Sequence, residues 1–550
     1  MPSSRLESPH RKKVRWLLSV LLLVNLLVFG RAVTFGWVAW DDPIHVLHNP
    51  LVKNWFEAGW WNRFSTPRFG YPIPLPVAIY AVFWELWGEA SAHAVHALSV
   101  LVHLVNLLLV FALGKRWSSS RWVGLVGATV WSLHPIVAEA VAWASDLNEL
   151  LMACGVLLSA FGWERLIAIE DSTSGWWAVV SGASIAILSK PVAVVIGPFL
   201  LLRLGLDKAG GSDQRKLYLA AGLLTSLLAG WTVYHLFVWE SHLQPVAQPL
   251  SDRGIWPLAP KAIGLYARNY IAPTNLHPTY YRYLLWSAPA MVTAGLSVLI
   301  SVVAVFAVTV WKRSGLAVPL GLFVLAYLPY SNLIPLPRFA ADTYMYLPTV
   351  GIAVVVGWAG VSLVRRVGWR GTGRRIAGGF FVLLVAVGTS LSAIQVERWG
   401  SSEKLLAPLL GNPDSYALPY GWLAYDKYRE KDYARAAALL DAAWPRLRQI
   451  RALLRMSPMI YLKAGAPRRA AEARLRVASV HGKTDADWAR GFRFLVHNDL
   501  PPPRSSRERA LFERSLRAWR ENRGSASRPD AYGYRFEHYL ERHGLSDSPR

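Results

Sequence analysis

The sequence predicts an all-α integral membrane protein. About 11 transmembrane helices occupy residues 1–398, and a helical domain follows over residues 399–550. Three observations lead there. Of the 550 residues, 53% are hydrophobic and 17% charged, against about a quarter charged in an ordinary soluble domain. Apolar runs of about 20 residues, enough to cross a bilayer, recur through the first 398 residues. Beyond residue 398 the pattern turns amphipathic and basic.

The first run, residues 15–37, follows Arg5, Arg11, Lys12, Lys13 and Arg15. It is longer than a signal peptide's apolar region and shows no small-residue cleavage site, so it reads as a retained membrane helix. Further runs lie at 90–113, 122–143, 148–168, 216–238, 287–311, 316–334, 347–364 and 376–397. The stretch 175–206 has room for two short spans, broken at Lys190-Pro191. With 11 spans, the basic clusters at 5–15, Lys115-Arg116, Arg203 to Lys216, Lys312-Arg313 and Arg365 to Arg375 share one side. That side is the cytoplasm by the positive-inside rule, and the C-terminal domain is then extracytoplasmic.

Two outer segments stand out. Residues 41–88 carry Trp55, Trp60, Trp61, Trp84 and Trp87. Such aromatics favour the interface, so short helices lying on the membrane are expected there. Residues 252–284 stay outside by the parity of the count, as an interfacial or re-entrant helix. In the tail, 420–425 with 433–440 reads as a helix pair of tetratricopeptide type, and 460–477 as a poorer second. Helices resume at 506–521 and 530–543, and fewer than three clear repeats favour a compact helical domain over a long solenoid.

The net charge of +24 is spread between apolar runs and along the tail, with no dense stripe for nucleic acid. Anionic lipid suits it better. The single Cys154 excludes an intramolecular disulfide and a cysteine metal site.

The chemistry-bearing residues gather on the outer side. Asp41-Asp42 follow the first span, and Pro43 stops a helix from continuing through them. Adjacent carboxylates repel, which raises a pKa and suits proton abstraction from a hydroxyl. Glu139 ends the third span, Asp146 and Glu149 follow, Lys190 sits at a turn, and Asp342 lies in a late outer loop. Acids from separate loops with cations nearby suit a hydroxyl acceptor meeting a phosphate leaving group. The same charges also suit anchors for helix ends. Arg338 is placed to grip a phosphate with two hydrogen bonds, or to anchor at the interface. His96, His103 and Asn106 share a helix face and favour helix-to-helix hydrogen bonds over a metal site. No glycine-rich phosphate loop is present.

Taken in order, the motifs are Trp40-Asp41-Asp42-Pro43 with Asn49-Pro50, Trp87-Gly88, and His96 with His103 and Asn106. Then come His134-Pro135 with Glu139 to Trp143, Leu188-Ser189-Lys190-Pro191, and Ala341-Asp342 with Tyr344 and Tyr346-Leu347-Pro348. Together they resemble the GT-C glycosyltransferases that carry tetratricopeptide tails, namely the transmembrane-and-tetratricopeptide O-mannosyltransferases and their bacterial relatives. The resemblance covers most of residues 1–400. It implies a polyprenyl-phosphate sugar donor and transfer of a hexose, mannose-like, with inversion on the extracytoplasmic face. The acceptor is a hydroxyl of a protein or cell-envelope glycan. The base maps onto Asp41 or Asp42, with Asp42 slightly preferred, and Glu139 orients the acceptor or the site. Lys190 neutralises the lipid phosphate, and Arg338, Asp342, Tyr344 and His134 complete the substrate contacts. No cofactor is implied, and a divalent cation is compatible. The location expected is the inner or cytoplasmic membrane, multi-pass.

The pattern is departed from in places. Leu147 and Thr343 stand where the family carries basic residues, and Ser99 where it carries an asparagine. Tyr71-Pro72-Ile73-Pro74-Leu75 replaces a related stretch. Two rivals remain: a transporter of a lipid-linked substrate, and a non-catalytic membrane scaffold whose outer domain binds partners.

Overall fold

A computed structural model describes residues 9–66, 72–168, 172–207, 214–240, 258–280, 289–333, 336, 338–367, 372–410, 417–444, 451–481, 485–502, 506–522 and 533–543. Arg5, Tyr71 and Lys208 lie outside them. Among the described residues all regular structure is helical, with no strand. The chain divides into two compact units, Met1–Leu405 and Leu406–Arg550.

In the first unit, α1 (Pro9–Phe29) ends in a 3-10 turn, Gly30–Thr34. A π-helical turn (Pro43–Leu47), α2 (Pro50–Lys53), α3 (Trp60–Ser65) and α4 (Pro74–Trp87) make up the aromatic stretch. Gly88, at φ 56 and ψ −130, closes α4 in a conformation that only glycine adopts readily. Next come α5 (Ser91–Ser118), α6 (Arg121–Ser132), α7 (Ala138–Ala142), α8 (Leu147–Ile167), α9 (Ser172–Ser189), α10 (Ile196–Gly205) and α11 (Gln214–Glu240). The unit continues with α12 (Leu258–Ile271), α13 (Pro289–Trp311), α14 (Ala317–Tyr327), α15 (Pro348–Arg366) and α16 (Thr372–Arg398).

Seven described helices are long and apolar enough to cross a membrane, and eight if the bent pair Arg121–Ser132 and Pro135–Ala142 is one span. The protein is therefore a multi-pass membrane protein. Where the sequence predicts two spans over 175–206, the chain forms α9 and α10, parted at Lys190-Pro191 by the 3-10 turn Pro191–Val195. The predicted span at 316–334 forms only the 11 residues of α14 before Pro329 tightens the chain into a 3-10 turn. An ion pair between Arg31 and Glu397 joins the C-terminal ends of α1 and α16. The first and last spans therefore run in the same direction, which an odd number of crossings requires.

Helix packing follows membrane rules. Gly155, Ser159 and Gly162 on α8 face Gly175, Gly182 and Ala186 on α9. Small residues at this spacing let two backbones touch. A Cβ on Gly155 would lie 2.3 Å from the Gly182 carbonyl oxygen. Polar cross-links tie other helices together. His103 Nδ1 bonds Tyr346 Oη at 2.8 Å, and Asn106 donates to Tyr346 Oη and to the Leu150 carbonyl, each at 3.2 Å. Asn25 donates to Ser132 Oγ at 3.1 Å.

The second unit is a set of helical hairpins. After α17 (Ser402–Leu406), α18 (Ala417–Arg429) packs on α19 (Tyr433–Ala443), and α20 (Arg451–Lys463) on α21 (Pro467–His481). α22 (Asp485–His497) packs on α23 (Ser506–Asn522), and α24 (Gly533–Arg542) closes the chain. Asp432 caps α19 through the Arg435 amide at 3.1 Å. Tyr461, Phe492, Phe512 and Tyr539 anchor the core of this unit.

Gly155→Ala should lower the thermal unfolding midpoint of the purified protein, at a cost of about 1–3 kcal/mol from overpacking. Gly222→Ala on α11, where an added Cβ meets nothing within 4 Å, should leave it unchanged or slightly raised.

Candidate functional site

The site is built around a short irregular segment, Arg338 to Tyr346, from which Arg338, Asp342, Thr343, Tyr344 and Tyr346 reach distant parts of the chain. Arg338 comes first. Its Nη2 donates to Glu139 Oε1 at 2.7 Å and to the Pro278 carbonyl. Its guanidinium lies over the rings of Trp40 and Trp143, at 5.7 and 5.6 Å. The buried Arg338 Nε has no hydrogen-bond partner among the described residues.

The Asp342 amide donates to Glu139 Oε2 at 3.2 Å. The Asp342 carboxylate accepts from Tyr280 Oη at 2.7 Å and from Asn269 Nδ2 at 3.3 Å. Burial and then the neighbouring Glu139 push its pKa well above the usual carboxylate range, while Tyr280, Asn269 and Arg338 oppose the shift. Thr343 Oγ1 donates to Asp146 Oδ2. Tyr344 stacks on Tyr330, with centroids 4.6 Å apart, and Lys190 Nζ lies over both rings at 5.2 and 5.4 Å. Lys190 pairs with Glu149 at 2.5 Å, and Tyr330 Oη donates to the same carboxylate at 2.9 Å. Asp146 and Glu149, which the sequence also allows as helix-end anchors, are thus buried members of the cluster.

The two adjacent acids of the first loop differ sharply. Asp42 is fully buried and accepts three hydrogen bonds: from the Val38 amide at 2.8 Å, from Trp143 Nε1 at 2.9 Å and from Ser145 Oγ. Asp41 is partly exposed, and no hydrogen bond to its carboxylate occurs among the described residues. Burial pushes Asp41 up to about 6, with Arg338 holding it down and Asp42 and Glu139 adding to the rise. Asp42 is also raised to about 6 by burial, against its three donors. Asn49 accepts from the Leu51 amide at 3.0 Å and donates to the His45 carbonyl at 2.8 Å, so the Asn49-Pro50 motif fastens this loop.

The other sequence candidates fall into two groups. Glu139, Lys190, Arg338, Asp342 and Tyr344 join Asp41 and Asp42 in one continuous cluster. His134 does not face it. Its Nδ1 accepts from the Ile136 amide at 3.1 Å, its Nε2 bonds the Tyr270 carbonyl at 2.9 Å, and its ring stacks on Tyr270. Nδ1 caps the turn where the chain bends between α6 and α7, while Nε2 and the ring tie that turn to Tyr270 on α12. Tyr280, Asn269, Ser145 and Tyr330 were missed in the sequence, because neutral side chains in an apolar chain carry no signal until their charged partners are known. Among the described residues no three His, Cys, Asp or Glu side chains are arranged to hold a metal ion.

The cluster holds six carboxyls, of Asp41, Asp42, Glu139, Asp146, Glu149 and Asp342, around the two cations Arg338 and Lys190. Both cations already hold a glutamate.

Comparison with known proteins agrees with the resemblance drawn from the motifs. Residues 71–234, less than half of the chain, match the family described as dolichyl-phosphate-mannose-protein mannosyltransferase. Mouse (Mus musculus) protein O-mannosyl-transferase TMTC4 is 25% identical over 211 residues, which is 33% of this chain and 28% of that one. Human (Homo sapiens) protein O-mannosyl-transferase TMTC1 is 28% identical over 153 residues, 26% of this chain and 17% of that one. The matched stretch therefore spans under a third of either relative. The archaeal oligosaccharyltransferase AglB from Archaeoglobus fulgidus superposes with a TM-score of 0.44 at 12% identity, covering 76% of this chain and 60% of that one.

Lys190→Met should leave Glu149 buried without its cation and cost about 3–5 kcal/mol of stability. Adding Glu149→Gln should recover a large part of that loss. Thermal unfolding of the two variants and the wild type checks both statements.

Proposed function

We propose that this chain is a membrane glycosyltransferase of the GT-C type. It moves a hexose, mannose-like, from a polyprenyl-phosphate sugar to a hydroxyl of a protein or cell-envelope glycan. The observation that carries this is Asp41, a carboxylate with no hydrogen-bond donor on it, raised to about 6, and set beside the Arg338 guanidinium at the edge of an aromatic-walled acid cluster. The matched family and relatives support the reading through their mannosyltransferase descriptions.

Asp41 takes the proton of the acceptor hydroxyl. The acceptor oxygen attacks the anomeric carbon as the bond from that carbon to the phosphate oxygen breaks, and the polyprenyl phosphate leaves with the electron pair. The configuration at the anomeric carbon inverts. Because the leaving group is a phosphate, no strong general acid is needed. Arg338 offers the donor phosphate its unpartnered Nε, and Glu139 keeps the guanidinium in place. Lys190, held between Glu149 and the Tyr330–Tyr344 stack, adds a second positive charge. Asp42 positions the loop, since its oxygens are already engaged by Val38, Trp143 and Ser145. This assigns the base to Asp41 rather than to the Asp42 slightly preferred on sequence. Asp342 and Tyr344 shape the substrate side, and His134 acts at a distance through the bend it caps.

The same proposal takes the membrane domain as residues 1–398 with about 11 spans. The N-terminus is cytoplasmic, the site extracytoplasmic, and residues 399–550 form an extracytoplasmic helical domain of degenerate tetratricopeptide type. The membrane is the inner or cytoplasmic one.

Sugar transfer in purified membranes supplied with labelled polyprenyl-phosphate-mannose tests it. Asp41→Asn should lower transfer about 10²–10⁴-fold while the protein stays folded. The wild-type rate should climb as pH rises through about 6, because the base works only when deprotonated, and Asp41→Asn should lose that limb. Undiminished transfer in Asp41→Asn, or no consumption of the donor by the wild type, would leave a scaffold or transporter as the better account.

A further inference from the structure

Beside the site, cations gather where α1 and α16 end together: Trp399, next to Arg398, stacks on Trp143, and the Leu276 carbonyl that Arg398 bonds lies two residues from the Pro278 carbonyl that Arg338 bonds. Arg31, in the turn after α1, donates from Nε to Glu397 Oε2 and from Nη2 to Oε1 at 3.4 Å. Lys404 donates to Glu397 Oε1. Arg398 Nη1 donates to the Leu276 carbonyl at 2.7 Å and to Gln395 Oε1 at 3.2 Å. With Ala393 and Ile394 these residues line an open groove of about 560 Å³. Two cations therefore share one carboxylate, and a third, Arg398, lines the same groove. The side chains of Arg31 and Lys404 remain 63% and 52% exposed.

The surroundings of the groove are apolar. Leu23, Leu26 and Leu27 of α1 and Val387 and Ile394 of α16 are exposed large hydrophobics on two helices that qualify as membrane spans. The groove thus joins a net positive rim to an acyl-depth surface. Its occupant has to carry an anion and hydrocarbon on one molecule. A soluble anion matches only the rim, and a peptide would expose backbone in the acyl layer.

We propose that this groove binds the headgroup phosphate of an anionic glycerophospholipid, with the acyl chains lying along α1 and α16. Arg31 and Lys404 reach the phosphate while keeping Glu397 between them, and Arg398 closes the inner side. Long basic side chains at a span end are suited to this, because their stems lie on apolar surface while the charge stays at headgroup depth.

Native mass spectrometry of the purified full-length protein, titrated with phosphatidylglycerol or phosphatidylcholine, tests the proposal. The wild type should retain phosphatidylglycerol in preference. Arg31→Gln with Lys404→Gln should cut that preference about tenfold or more, with little change in unfolding temperature because both side chains are exposed. Inorganic phosphate at tens of millimolar should not displace the lipid, and neither should polyprenyl phosphate. Should the double variant prove unstable, Lys404→Gln alone should lose about half the preference on a logarithmic scale. Equal retention of the two lipids, undiminished retention in the variants, or displacement by either competitor would overturn it.

Discussion

The organising constraint of the membrane unit is one irregular segment, Arg338 to Tyr346, that commits five side chains and several backbone groups to distant parts of the chain. Arg338 holds Glu139, the Ala341 amide bonds Tyr266 Oη at 3.1 Å, and Asp342 holds Tyr280 and Asn269. Thr343 reaches Asp146, Tyr344 stacks beside Lys190, and Tyr346 reaches His103 and Asn106 while its carbonyl accepts from Trp131 Nε1 at 2.9 Å. In hydrocarbon, helices gain little from apolar contact with one another, so directional links of this kind decide which helices meet. Removing any one of them strands a buried polar partner.

The same segment sets the charge of the site. Six carboxyls stand around two paired cations, and burial first, with neighbouring carboxylates adding to it, raises Asp41 and Asp342. The family pattern places basic residues at positions held here by Leu147 and Thr343. At 343 the replacement is a hydroxyl that donates to Asp146, which satisfies the carboxyl without neutralising it. Leu147 is fully buried. Both cations of the cluster are already paired with a glutamate, and the buried Arg338 Nε has no hydrogen-bond partner among the described residues.

Much of the site could be read from the chain because ionisable residues are rare in an apolar sequence and each one stands out. Asp41, Glu139, Lys190, Arg338 and Asp342 were legible for that reason. Their pairing was not. Glu139 and Arg338 are 199 residues apart, and Glu149 and Tyr330 are 181 apart, so no local spacing encodes those contacts. His134 looked like a site residue because it precedes Pro135 and Glu139, but its ring is consumed in capping a bend. The fold was legible where apolar runs are long. At 175–206 the predicted break at Lys190-Pro191 is where the chain parts α9 from α10, whereas at 316–334 Pro329 ends the helix after 11 residues. In the tail, small-residue hairpins were readable, as α18 with α19 and α20 with α21, because helix pairing there is local.

The position of the organising segment late in the chain bears on how the protein is made. Glu139 and Asp146 are synthesised nearly two hundred residues before the Arg338 and Thr343 that they bond. Through that interval the ribosome has delivered acids near the bilayer whose partners do not yet exist, which is costly for ionised groups. Early helices must therefore wait, held by close contacts such as the α8–α9 glycine seam, until the later spans arrive and lock them. Completion of the site is then a late event, followed among the membrane spans only by α15 and α16, and a chain terminated before residue 338 carries the acids but never the clasp. Such a chain exposes the very groups by which a cell's quality control would tell an unfinished copy from a finished one.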